Sequence, residues 1–426
     1  MTPDIPYAAD RDIPLGIPGF RYADLYKPER LKDLLTVFDA EVLAADPTLF
    51  EAFSRYRADP GKLPAPEASD LLMRMAPQVA RFVARLFQAE PDLLRRRREA
   101  EALHPLFLFK KKFVANRADR RFKPADLATL DAEALDTDRR ALLAAAFRED
   151  PSETPEHATA RMVLRLLELE AAPEAAACAA LREKFLIHLE ARTRFSEALR
   201  GDDKALISGL LQRLEAWAFA FPRAEATRDR AHAWVTLRHP RTLAFDRLVE
   251  LVHPQADLPD LVEGPAAHRR RRDGFQLTDP RMNATQVAAE VDYCLYCHER
   301  ERDSCSRGLK EKDGAFRRNA LGTTLAGCPL DEKISEAHAL EKDGETLAAL
   351  AVILVDNPMA PGTGHRICND CMKACIFQKQ EPVNIPQAET GILSAILRMP
   401  YGVEVYGFLT RWNPLNARRP VALPYN

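Results

Sequence analysis

Seven of the chain's eight cysteines lie between Cys294 and Cys375, and only Cys178 lies outside that stretch. The first group is Cys294-Leu-Tyr-Cys297, followed by Cys305 and by Cys328-Pro329. The second is Cys368-Asn-Asp-Cys371-Met-Lys-Ala-Cys375. A CxxC pair in a turn can point two sulfurs at one centre, and the last thiolate of CxxCxxxC lies about one helical turn further on. In a reducing compartment, thiols clustered in this way bind metal rather than form disulfides. A [4Fe–4S] cube takes four ligands, usually thiolates, and in two-cluster proteins one cysteine of a run, often in a Cys-Pro pair, serves the other cube. Cys328-Pro329 suits that role. Two cubes need eight ligands, so one non-cysteine donor is expected, and Gln387 and Glu389 lie just downstream of Cys375. The rival metal is zinc: Cys294, Cys297, Cys368 and Cys371 would make a Cys₄ site, which leaves Cys305, Cys328 and Cys375 without a purpose. Cys178, in an Ala-rich stretch, reads as a small buried hydrophobe. His298 and His338 are assigned no metal role.

The rest of the chain predicts a mainly α protein, with a helical domain over residues 1–280. Val79, Phe82, Val83, Leu86 and Phe87 follow the spacing of one buried helical face. Thr154-Pro155 reads as an N-cap and first-turn proline opening a helical stretch interrupted at Pro173. Ile207, Leu210, Leu211 and Leu214 form another stripe, closed before Pro222. The polar, proline-bearing stretch from Pro254 to Pro280, with its run Arg269–Arg272, is the expected domain boundary. The runs Arg95–Arg98 and Lys110–Lys112 are candidates to contact an acidic partner or a nucleotide phosphate, and read first as solvated helix faces flanked by Glu and Asp. A net charge of −2 offers no basic excess for a nucleic-acid partner. The N-terminus lacks a secretory signal pattern. The longest apolar run, Leu347 to Val355, is about half of a membrane span. The expectation is therefore a cytoplasmic protein without a membrane span, with an oligomer as a possible state. No GxGxxG unit, P-loop, HExxH or GxSxG occurs, so the chain holds no complete flavin, nicotinamide or hydrolase site of those kinds.

Cys294-x-x-Cys297, Cys328-Pro329, Asp356-Asn357-Pro358, Thr363-Gly364-His365-Arg366-Ile367-Cys368 and Pro382-Val-Asn-Ile385 together resemble one group of proteins. That group is the N-terminal domain of the glutamate synthase small subunit and of dihydropyrimidine dehydrogenase. The resemblance spans about residues 290 to 400. It implies an α-helical ferredoxin domain over 281–400 with two [4Fe–4S] clusters, and a linker over 401–426. By the same resemblance Cys294, Cys297, Cys305 and Cys375 hold one cluster. Cys328, Cys368 and Cys371 hold the other, with the fourth ligand four residues after Ile385, at Glu389, and Gln387 as second choice. The gaps around Cys305 are longer than the group's, with an insertion from Glu299 to Gly327.

The resemblance further implies an iron–sulfur electron-transfer module of an NAD(P)H- and FAD-dependent oxidoreductase. FAD and NAD(P)H are expected only in an adjacent flavoprotein domain or subunit, because ARRPVALPYN stops where a flavin-binding strand would begin. This chain is then a fragment of a longer flavoprotein or a subunit docked on one. The apolar run Leu347–Val355 is expected to pack over the clusters, and serves equally as an ordinary core element. The alternative function is a zinc-stabilised helical interaction module without redox activity.

Overall fold

The computed structural model describes residues 13–147, 153–266, 269, 274–275, 280–300, 303–365 and 367–421. The chain is mainly helical, as expected, and has no strand beyond isolated bridges among those residues. It forms two units: residues 1–100 with 240–426, and residues 101–239.

At the centre of the first unit lies the helix Thr346–Asp356, whose residues Leu347 to Leu354 are all at most 4% exposed. A helix apolar all round has no face to offer water and must be enclosed. The helices Ala65–Leu86, Ile334–Lys342 and Ile385–Leu397 pack against it. Ala65–Leu86 turns its predicted stripe inward, with Val79, Phe82, Val83 and Leu86 buried. Ahead of it Asp46 caps the helix Pro47–Ala58 by accepting the Leu49 N–H at 2.9 Å, with proline at the first helical position. The chain after residue 400 adds the helix Gly402–Leu409 and the buried side chains Trp412 and Leu415. Trp412 stacks on Phe82 at 5.4 Å and on Phe408 at 5.1 Å, and Asn413 donates to the Ala351 carbonyl at 2.8 Å.

The division of the chain therefore differs from the expected 1–280, 281–400 and 401–426. Buried residues from Ile17 to Ala89 share one hydrophobic core with the cysteine-bearing part, because Ala65–Leu86 covers Thr346–Asp356. The stretch after residue 400 is core rather than linker. Of the run Arg269–Arg272, only Arg269 is among the described residues, and it pairs with Glu263. Residues 1–12 and 422–426, which carry the N-terminal pattern and most of the final VALPYN, also lie outside the described residues.

The second unit has its own core, which includes Phe109, Phe113, Leu166, Phe185, Leu210 and Trp217. Thr154 caps the helix Pro155–Ala171, and Ile207, Leu210, Leu211 and Leu214 face inward on Asp203–Ala220. Cys178 is fully buried there, in keeping with a packing role. Arg139 is also buried, with Asp136 as its ion-pair partner at 2.8 Å and the rings of Trp217 and Trp234 about it at 5.1 and 5.2 Å. Removing only one partner of such a buried pair is strongly destabilising, since the other charge is left alone.

Candidate cysteine site

Cys294 ends the helix Ala284–Tyr293, and Cys297 opens the 3₁₀ turn Cys297–Arg300. Cys305 sits in the single turn Ser304–Arg307, and Cys375 closes the single turn Asp370–Ala374. These four sulfur residues line one pocket, otherwise walled largely by apolar groups such as Ile334, Phe377, Val383 and Ile385. Tyr293 stacks on Phe377 with ring centroids 4.5 Å apart and seals one side. Burial pushes the Cys294 thiol up to about 12 and the Cys305 thiol well above its usual range, the neighbouring cysteines adding to both. Opposing this, the backbone amide of Tyr296 lowers the Cys294 thiol, and the backbone amides of Ile376, Phe377 and Val383 lower the Cys375 thiol, in each case by less than burial raises it. Such donors stabilise a thiolate.

The remaining three cysteines form a second group. Cys371 is 8% exposed and lies in the field of Cys328, Cys368, Glu332 and Glu389, which with burial drives its thiol well up. Glu332 is a residue that the sequence reading missed. It is 5% exposed, its Oε2 lies 3.8 Å from the Cys328 sulfur, and burial holds its carboxyl up at about 7. Its position four residues past Cys328 was the available signal. Glu389, on the helix Ile385–Leu397, is raised to about 8 by burial and by Glu332. Gln387 is engaged elsewhere: its Oε1 accepts the Met282 N–H at 3.2 Å and its amide nitrogen meets His365 at 3.0 Å. Leu347–Val355 reaches this group through Ile353, which lines a small cavity with Glu332, His338 and Glu389.

The two groups are tied by the backbone. The Cys328 N–H donates to the Cys305 carbonyl at 2.8 Å, at the base of a hairpin held by Leu309 N–H to Leu325 O at 2.9 Å and Arg317 N–H to Leu309 O at 2.8 Å. Gly308 and Gly327 make this approach possible. Both have positive φ, and a Cβ on either would come within 2.6 Å of backbone atoms. The longer spacing around Cys305 is thus a hairpin that leaves Cys305 and Cys328 side by side.

His338 is 2% exposed, its Nδ1 has no hydrogen-bond partner, and burial lowers its pKa to about 4. The unfolded chain binds that proton near 6.5, so stability from this site is complete above that pH and is lost as pH falls toward 4. Glu341, one turn on and raised to about 7 by burial, acts in the opposite direction. Between about pH 8 and about pH 5, the native chain should lose roughly 2 kcal/mol more than the His338→Leu variant. Guanidinium unfolding at the two pH values measures this, with the Glu341 contribution common to both proteins.

The family described as the RP005 N-terminal alpha-helical domain matches residues 15–88. Two Rickettsia prowazekii (strain Madrid E) proteins are similar over short stretches. Uncharacterized protein RP006 is 64% identical over 63 residues, 15% of this chain and 9% of that protein. Uncharacterized protein RP005 is 33% identical over 82 residues, 17% of this chain and 27% of that protein. The chain thus spans only a small part of either relative. No solved structure matches. These matches correct the resemblance drawn from the cysteine motifs. The family that matches is a helical one named for RP005, and the relatives are uncharacterized Rickettsia proteins, not ferredoxin domains. The identification with the glutamate synthase and dihydropyrimidine dehydrogenase group is set aside. So is the iron–sulfur oxidoreductase class that came with it, since among the described residues no three of His, Cys, Asp and Glu gather as they would around one metal ion. No helix among the described residues is long and apolar enough to cross a membrane.

Proposed function

We propose, from the chain's own cysteines alone, that this part of the protein holds two [4Fe–4S] clusters and relays single electrons between redox sites. The observation that carries this reading is the sorting of the seven cysteines into two sets. Cys294, Cys297, Cys305 and Cys375 form one; Cys328, Cys368 and Cys371, with the buried Glu332 and the half-buried Glu389 in the same field, form the other. A single zinc ion needs its ligands to converge on one point. A cube takes one ligand at each corner, so its thiolates surround it without converging. The sorting also separates the two CxxC pairs that a Cys₄ zinc site would need to combine. The residues fit a cluster in a second respect. Buried thiols that raise one another's pKa need a positive partner to become thiolates, and the backbone amides near Cys294, Cys328 and Cys375, which lower those thiols, supply part of that stabilisation.

An iron–sulfur cube supplies one-electron reduction and oxidation at a potential set by ligand type, hydrogen bonds to sulfur and burial. Ile334, Phe377, Val383 and Ile385 keep the first pocket dry, and Tyr293 braces Phe377 by donating to the Glu381 carbonyl at 3.1 Å. Glu389 gives the second set a carboxylate donor where the first has a thiolate, so the two sites should differ in potential. A flavoprotein domain or subunit is a partner that such a relay fits, because flavins release electrons singly. A reducing cytoplasm suits eight free cysteines. Anaerobic purification should give a brown protein with about eight irons and eight sulfides per chain, reducible by dithionite. A colourless, iron-free protein after anaerobic cluster reconstitution would overturn the reading.

A further inference from the structure

We infer that the corner between the helices Ala175–Ile187 and Leu189–Arg194, in the second unit, is a self-association surface covered by a second copy of this chain. The inference is independent of the cluster reading. Leu186, Ile187 and Leu189 are 53%, 79% and 67% exposed there, although Phe185 and Ala191 beside them are fully buried. Cys178, Leu181 and Phe185, spaced three and four apart, take the inward stripe of the first helix, so Leu186 and Ile187 fall outside it. Phe195 buries on the far side of the corner and stacks on Phe185 with ring centroids 6.3 Å apart. His188 caps the second helix by accepting the Ala191 N–H at 3.4 Å, and Arg194 pairs with the buried Asp138 at 2.9 Å. With both flanks anchored in this way, the three apolar side chains have no route back into the core.

Apolar residues scattered singly on a surface need no explanation, whereas three within four positions make a patch on the order of 300 Å², a size that often marks a contact site. Charges of both signs border it. Glu183 lies one turn before Ile187 on the first helix, and Arg192 lies one turn after Leu189 on the second. Both are exposed, and among the described residues neither side chain has a hydrogen-bond or ion-pair partner. A two-fold axis sets residue i of one copy against residue j of the other and j against i, so an acid and a base flanking an apolar centre complement themselves. Glu183 then meets the partner's Arg192 on both rims, while the apolar trios pack together between them. A uniformly acidic or basic partner would satisfy only one rim. A standard stable interface buries about 800 Å² on each side, somewhat over half of it apolar, so a patch of this size suits a reversible dimer rather than a permanent one.

Sedimentation velocity of the full chain over the micromolar range, from about 1 to about 100 μM, tests this. The native protein should run as a monomer at the low end and as a dimer at the high end. Ile187→Glu and Leu189→Glu should each weaken association about tenfold or more, because both copies then carry a charge into the apolar centre. These positions are exposed, so both variants should keep the native circular dichroism and unfolding midpoint. Glu183→Arg should weaken the dimer as well, since like charges then face each other on both rims, and adding Arg192→Glu to the same chain should restore it. That recovery is specific to a two-fold contact, as indiscriminate apolar association would ignore the exchange. A native chain that stays monomeric throughout would overturn the inference and leave the corner to a different protein. So would a dimer unmoved by Ile187→Glu or Glu183→Arg, or one that the double exchange fails to restore.

Discussion

On the two-cluster reading proposed above, replacing Cys371 with serine should remove about half of the iron and leave the other half with its native spectrum. Cys371 is buried and its thiol is raised by burial and by the charges of Cys328, Glu332, Cys368 and Glu389. Cys305→Ser should give the converse result, since Cys305 shares its pocket with Cys294, Cys297 and Cys375. Both sulfurs lie in sites where burial disfavours an unpaired charge, so a hydroxyl is a poor substitute for a thiolate. Iron and sulfide analysis with low-temperature electron paramagnetic resonance would read the outcome. Loss of all iron from either single variant would show one shared centre in place of two.

Trp412→Ala should cost about 3–5 kcal/mol of stability, the range for deleting a large buried aromatic. Its indole is fully enclosed, stacked between Phe82 and Phe408 with the Phe38 edge 5.8 Å away. Whole domains are stable by only about 5–15 kcal/mol, so this single change should leave the first unit marginal. Val403→Ala is the control: Val403 is 65% exposed on the adjacent helix, and its loss should cost about 0.5 kcal/mol or less. Urea unfolding of both variants makes the comparison. Equal midpoints would show that the segment after residue 400 is dispensable to the core.

The helical class was legible because periodic stripes such as Val79–Phe87 and Ile207–Leu214 report a buried face directly. Thr154-Pro155 was legible for the same local reason, as cap and first turn are set by neighbours in sequence. The division into units was not. The boundary was sought in a proline-bearing stretch, whereas membership of the core depends on Phe38 and Phe82 meeting Trp412, a contact between residues more than 300 apart. The same limit hid Glu332, which is unremarkable in sequence and acquires meaning only where the chain folds it against Cys328. The cysteines were visible at once, while the kinship inferred from their motifs was overturned by matches elsewhere in the chain.

The hydrogen bond from Cys328 to the Cys305 carbonyl closes a loop of chain before it can influence what lies beyond. With Gly308 and Gly327 pinching its neck, the hairpin can lengthen or shorten at its tip while both sulfurs hold their places. Closing a longer loop costs only about 0.6 kcal/mol for each doubling of its length. The number of residues between these two cysteines is therefore a poor guide to ancestry, and comparisons among related chains should align the neck and let the tip drift.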